Sequence, residues 1–140
     1  MIKSSHLSKV YKGGWGNLTD FYQLTMAYGY WQQKVHERKA VFHLFFRKHP
    51  FKGMYTIAAG LALVADYLQS LKFSVEEVQY LGSLKGADGK AMFPETFLHY
   101  LQRLEFTGDV YAVPEGTLMY PHEPLLRIEA PLLQAQLIET

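Results

Sequence analysis

Two stretches carry the side chains best suited to chemistry. Thr19-Asp20-Phe21-Tyr22-Gln23 sets a carboxylate and a phenol two residues apart at the start of an apolar, aromatic run that continues to Trp31. A helix beginning here leaves backbone N–H groups free at the positive end of its dipole, where ligands approach. Farther on, Lys34, Arg38, Lys39, Arg47, Lys48 and Lys52 are opposed only by Glu37. Arg47 closes a Phe-rich segment, so packing would hold its guanidinium for a two-pronged contact with phosphate oxygens.

The same residues fit a second reading. Tyr22, Tyr28, Tyr30 and Trp31 suit the packing face of a core helix, and a run of cations suits a solvated edge. The residues alone leave both open. Six histidines, His6, His36, His43, His49, His99 and His122, form no HxxxH pair, and the acids are scattered, so no metal site is expected. No GxGxxG, P-loop or GxSxG spelling occurs, which argues against independent catalysis by these residues.

The positioning elements follow from spacing. Leu24, Ala27, Tyr28 and Trp31 recur at helical intervals, predicting a helix over 19–34 with Thr19 as cap and Asp20 in its first turn. AVFHLFFRK, 40–48, reads as a strand buried on much of both faces. A strand at 55–58 leads after Gly60 into a helix, and Ser74-Val-Glu-Glu77 spells a capping box for another reaching Leu81. After a glycine-bearing loop, PETFLHYLQRL is a helix with proline in its first turn. From Gly108, Val, Tyr, Leu and Ile segments broken by Pro114, Pro121 and Pro124 predict three short strands. PLLQAQLIET returns to helical spacing without a closing signal and reads as the start of an element that continues, wanting cover from outside this stretch.

A length of 140 residues with 49% hydrophobic content supports one domain with a real core. A net charge of +1 argues against a nucleic-acid partner. Without cysteine there is no disulfide frame, which fits the cytoplasm, and no run approaches the roughly 20 apolar residues of a membrane span. Ten Tyr, nine Phe and two Trp exceed the needs of a small core and suggest a face meant for burial.

TDFYQLTMAYGYW, AVFHLFFRKHPFKG, AAGL, FTGDVYAVPEGT and EPLLRIEAPLLQAQLIET follow one another from Leu18 to Thr140, and together they resemble the N-terminal portion of nicotinate phosphoribosyltransferases. That family joins nicotinate to phosphoribosyl pyrophosphate, giving nicotinate mononucleotide and pyrophosphate with coupled hydrolysis of ATP, supported by Mg2+, in NAD salvage. The resemblance implies an α+β fold, an N-terminal α/β-hammerhead-like domain of a type II phosphoribosyltransferase, with the α/β barrel lying beyond the segment. It implies a flexible arm at 1–17, the domain at 18–130 and, at 131–140, the start of a helix leading into the barrel. Homodimers sharing active sites between subunits are implied as well. By motif, Tyr22 matches the tyrosine that stacks on the pyridine. Asp20 matches an aspartate lining the ribose and phosphate side, and Arg47 an arginine reaching the pyrophosphate from the neighbouring subunit. The phosphorylated histidine and the arginine for the nicotinate carboxylate fall outside the segment, so it should be inactive alone. The rivals are a nicotinamide phosphoribosyltransferase and a noncatalytic binding or assembly module, the latter because VPEGT resembles the hairpin of biotin- or lipoate-carrying domains. No lysine occupies that turn.

Overall fold

The computed structural model describes residues 15–140, a mixed arrangement of helices and antiparallel strands. Helix α1, Phe21–Gln32, begins two residues later than spacing predicts, and its N-cap is Asp20 rather than Thr19. Asp20 has extended backbone angles, and its N–H donates to the Gln23 side-chain oxygen at 2.8 Å, while the Thr19 hydroxyl turns to the same oxygen. Gln23, Leu24 and Ala27 are buried, and the half-buried rings of Tyr28 and Trp31 meet Phe93 and Phe97 at centroid distances of 5.1 to 5.8 Å. The packing role expected of Tyr28 and Trp31 therefore holds.

Strand β1, Lys39–Leu44, is shorter than the expected 40–48 and is not buried on both faces. It pairs antiparallel with β5, Leu126–Pro131, which pairs antiparallel with β3, Asp109–Ala112. Register sets Phe42, Leu44, Leu126, Ile128, Val110 and Ala112 on one face, and Lys39, Val41, His43, Arg127, Glu129 and Tyr111 on the other. This alternation is that of an antiparallel sheet with one solvated side. On that side Glu129 pairs with both Lys39 and Arg127, and the Arg127 guanidinium lies 5.4 Å from the centre of the Tyr111 ring. Gly108 admits β3 beside β5, since a Cβ there would stand 2.5 Å from that of Ala130.

Strand β2, Thr56–Ile57, pairs with β4, Leu118–Met119, in a second sheet, so the three expected late strands form but are divided between sheets. Helix α2, Leu61–Ser70, starts at left-handed Gly60, and Glu115 of the VPEGT turn accepts from the N–H groups of Gly60 and Ala62 at 3.1 and 3.3 Å. The turn that resembles a carrier hairpin thus serves as a cap on α2. Helix α3, Val75–Ser83, has the expected capping box, with Ser74 N–H donating to Glu77 at 2.7 Å and Glu77 N–H to Ser74 Oγ at 3.2 Å. Helix α4, Glu95–Gln102, has Pro94 as its N-cap and buries Phe97, Leu98 and Leu101.

Helix α5, Leu132–Leu137, is six residues long and buried, against the expectation that it lacks cover. Its first N–H groups donate to the carbonyls of Arg38 and His36, at 2.8 and 3.2 Å, and α1 packs along it. The expected flexible arm falls mostly at 1–14, outside the described residues. Trp15 meets Tyr67 edge-on, and the Asn17 N–H donates to Glu77 at 3.0 Å.

Candidate functional site

The N-terminus of α1 meets the residues that follow α5. Gln23 is fully buried, and its Oε1 accepts from the Asp20 N–H and from the Thr140 hydroxyl at 2.6 Å. Its Nε2 donates to Glu139 at 3.3 Å, and Gln136, also buried, donates to the same carboxylate oxygen at 2.6 Å. Buried amides demand partners at both ends, so this arrangement ties the two helix termini in one geometry.

Asp20 and Tyr22 stand at the edge of that frame. Tyr22 is about half exposed, 49%, and its hydroxyl lies 3.5 Å from Glu139, while the Thr140 hydroxyl reaches Asp20 Oδ2 at 3.4 Å. Partial desolvation, then Glu139 and Asp20 beside it, push the Tyr22 phenol above its usual range, so at neutral pH it remains a donor. A neutral, exposed ring beside a carboxylate, at a helix N-terminus, can stack on a flat ligand while the carboxylate takes hydroxyl donors. Glu139 and Thr140 also line an apolar groove of about 520 Å³, together with Phe42, Leu44, Leu126 and Ile128 of the sheet and Leu63 and Val64 of α2.

Arg47 sits apart. It lies three residues past the end of β1, exposed, and shares no hydrogen bond or ion pair with Asp20 or Tyr22. The expectation that strand packing holds its guanidinium fails, because the chain leaves the sheet after Leu44 for a single 3-10 turn, Pro50–Lys52. That loop exposes Phe51 fully, and Met54 and Tyr55 largely, beside Lys48 and Lys52. Lys39, another cation of the same run, is paired with Glu129.

Sequence reasoning missed Glu139, Gln23 and Gln136. The available signal was two glutamines inside PLLQAQLI, an otherwise apolar helix, since a buried amide requires a partner. Among the described residues no group of three His, Asp or Glu side chains is placed to hold a metal ion, and no helix is long and apolar enough to cross a membrane.

The model of the nicotinate phosphoribosyltransferase (NAPRTase) N-terminal domain family matches residues 18–140. Nicotinate phosphoribosyltransferase pncB2 of Mycobacterium tuberculosis is 43% identical over 122 residues, 87% of this chain and 25% of that protein. The nicotinate phosphoribosyltransferase of Bacillus subtilis is 45% identical over 122 residues, 87% of this chain and 24% of that protein. The crystal structure of human nicotinic acid phosphoribosyltransferase superposes with a TM-score of 0.76 at 40% identity, covering 87% of this chain and 24% of the human one. The chain spans about a quarter of the length of these relatives.

Proposed function

This chain belongs to the nicotinate phosphoribosyltransferase N-terminal domain family, and from that premise we propose that it is the substrate-closing domain of an enzyme making nicotinate mononucleotide and pyrophosphate from nicotinate and phosphoribosyl pyrophosphate. The observation that carries this reading is that Asp20 and Tyr22 are exposed on a helix end that buried Gln23 holds in place, within the stretch that matches the family. The pyridine nitrogen attacks C1 of the ribosyl group as the bond to pyrophosphate breaks, so the sugar carbon gains cationic character and the leaving group carries away the electron pair. Tyr22 stacks on the pyridine and aligns that nitrogen; Asp20 lines the ribose and phosphate side. Arg47 stabilises the charge developing on pyrophosphate.

Arg47 is exposed beyond the end of β1 and has no hydrogen bond or ion pair with Asp20 or Tyr22, which supports its acting on the site of a neighbouring subunit in a homodimer. Its loop has an apolar tip in Phe51, Met54 and Tyr55 flanked by cations, a surface suited to burial against a second copy. The domain, 18–130, is read as hammerhead-like, with 131–140 leading into an α/β barrel that supplies the rest of the site. Coupled ATP hydrolysis with Mg2+ belongs to the same reading. The described residues of this chain do not fit a metal site, so no step here passes through one. The Cys-free composition suits work in the cytoplasm.

The relatives are named for nicotinate, which favours it over nicotinamide as the pyridine. The test is product formation: the complete enzyme carrying this domain converts nicotinate and phosphoribosyl pyrophosphate to the mononucleotide, while residues 1–140 alone do not. A complete enzyme that turns over only nicotinamide, or turnover by the isolated chain, would contradict the proposal.

A further inference from the structure

One oxygen of Glu139 collects three donors: Gln136 Nε2 at 2.6 Å, Gln23 Nε2 at 3.3 Å and the Tyr22 hydroxyl at 3.5 Å. The first two come from buried side chains, so the carboxylate is fixed from the protein side. The third comes from an exposed ring whose two torsions would otherwise be free. The hydroxyl oxygen lies on the Cβ–Cγ axis, so anchoring it restrains the first torsion; because a phenolic O–H keeps to the plane of its ring, donation to a fixed oxygen also biases the second torsion and with it the ring plane. A stacking partner gains from that restraint, because an ordered ring loses less freedom when a ligand binds.

We infer that Glu139 is a positioning residue for the pyridine: held by Gln23 and Gln136, it orients the Tyr22 ring for stacking. This rests on the reading of Tyr22 as the ring partner. Tyr22 itself touches the substrate in that reading, and Glu139 acts through it.

The test compares four forms of the complete enzyme: wild type, Tyr22→Phe, Glu139→Gln and the double variant. Tyr22→Phe keeps the ring and removes the hydroxyl; Glu139→Gln keeps the shape and removes the charge. Each single change is expected to raise the KM for nicotinate about threefold at nearly constant kcat, as suits one long hydrogen bond to a charged group. Glu139→Gln weakens the bond that Tyr22→Phe removes, so the double variant should also stand near threefold and not near the roughly ninefold product of independent effects. A multiplied effect, or an unchanged KM in Glu139→Gln, overturns the inference. A second readout is independent of turnover: with 13C-labelled tyrosine, the Tyr22 phenol should titrate lower in Glu139→Gln than in wild type, and an unmoved titration also overturns it. If Glu139→Gln melts early, Tyr22→Phe decides alone, since a wild-type KM in that variant means the hydroxyl anchors nothing. Tyr22→Ala separates the two levels of the argument. A normal nicotinate KM in Tyr22→Ala defeats the stacking reading itself, whereas a raised KM there with a normal one in Glu139→Gln defeats only the role given to Glu139.

Discussion

At its C-terminal end α1 sends Tyr28 and Trp31 into a cluster with Phe93 and Phe97, whereas at its N-terminal end Phe21 and Tyr22 stand about half exposed beside Asp20 and Glu139. Both ends are aromatic, and both lie on one continuous helix. What separates them is the company: rings meet rings at one end, and a ring meets carboxylates and buried amides at the other. The first arrangement lowers free energy by burial, while the second leaves a ring surface in water, where only a ligand or another chain would cover it.

Breaking the packed end should have the largest effect. Phe97 is fully buried and touches Tyr28, Trp31, Phe93 and Tyr100, so Phe97→Ala should cost about 3 to 5 kcal/mol in urea unfolding. Trp31 is only half-buried, and Trp31→Ala should cost less, about 2 kcal/mol. Should the two cost the same, the cluster would not be centred on Phe97.

Arg47→Ala sharpens the contrast from the other direction. Its guanidinium is exposed and has no ion pair among the described residues, so it contributes little to the fold, and the melting temperature should hold while kcat/KM for phosphoribosyl pyrophosphate in the complete enzyme falls about tenfold. Normal kinetics would make the loop a solvated edge.

Lys39→Ala should have the smallest effect, with kinetics at the wild-type level. Lys39 and Arg127 hold the Glu129 carboxyl below its usual range, Lys39 by hydrogen bonding first. A depressed carboxyl favours the folded state above its ordinary pKa, and that contribution is lost as pH falls through the lowered folded value. Removing Lys39 should therefore lower stability slightly at and above about pH 4.3, with the difference from wild type shrinking as pH falls through the lowered folded value. A difference from wild type that persists in acid, where the Glu129 carboxyl is protonated, would show that Lys39 does more than pair with Glu129.

The sequence was most readable where the signal is local. Ser74 and Glu77 lie three residues apart and cap α3 as spelled, and the helical spacing of Tyr28 and Trp31 gave their packing role. The strand at 40–48 misled because Val and Phe content does not reveal which residues still have a partner: β5 pairs with β1 only to Leu44, and Arg47 is left outside. The cover on α5 was invisible for a related reason, since its N–H partners, the carbonyls of His36 and Arg38, come from nearly a hundred residues earlier. At the candidate site, Asp20 and Tyr22 were legible from motif, but Glu139 was not, because a carboxylate more than a hundred residues away gains its meaning only when α1 and α5 pack.

The claim that α1 holds the fold at one end and a substrate at the other is tested most directly by measuring melting temperature and nicotinate KM on the same samples of Tyr22→Ala and Trp31→Ala in the complete enzyme. The account predicts a loss of about ten- to a hundredfold in kcat/KM for Tyr22→Ala, on the scale of stacking on an aromatic side chain, at a wild-type melting temperature. It predicts early melting for Trp31→Ala, with nicotinate KM unchanged while the protein is folded. A Tyr22→Ala enzyme that melts early and binds nicotinate normally would contradict it and make the whole of α1 a core helix.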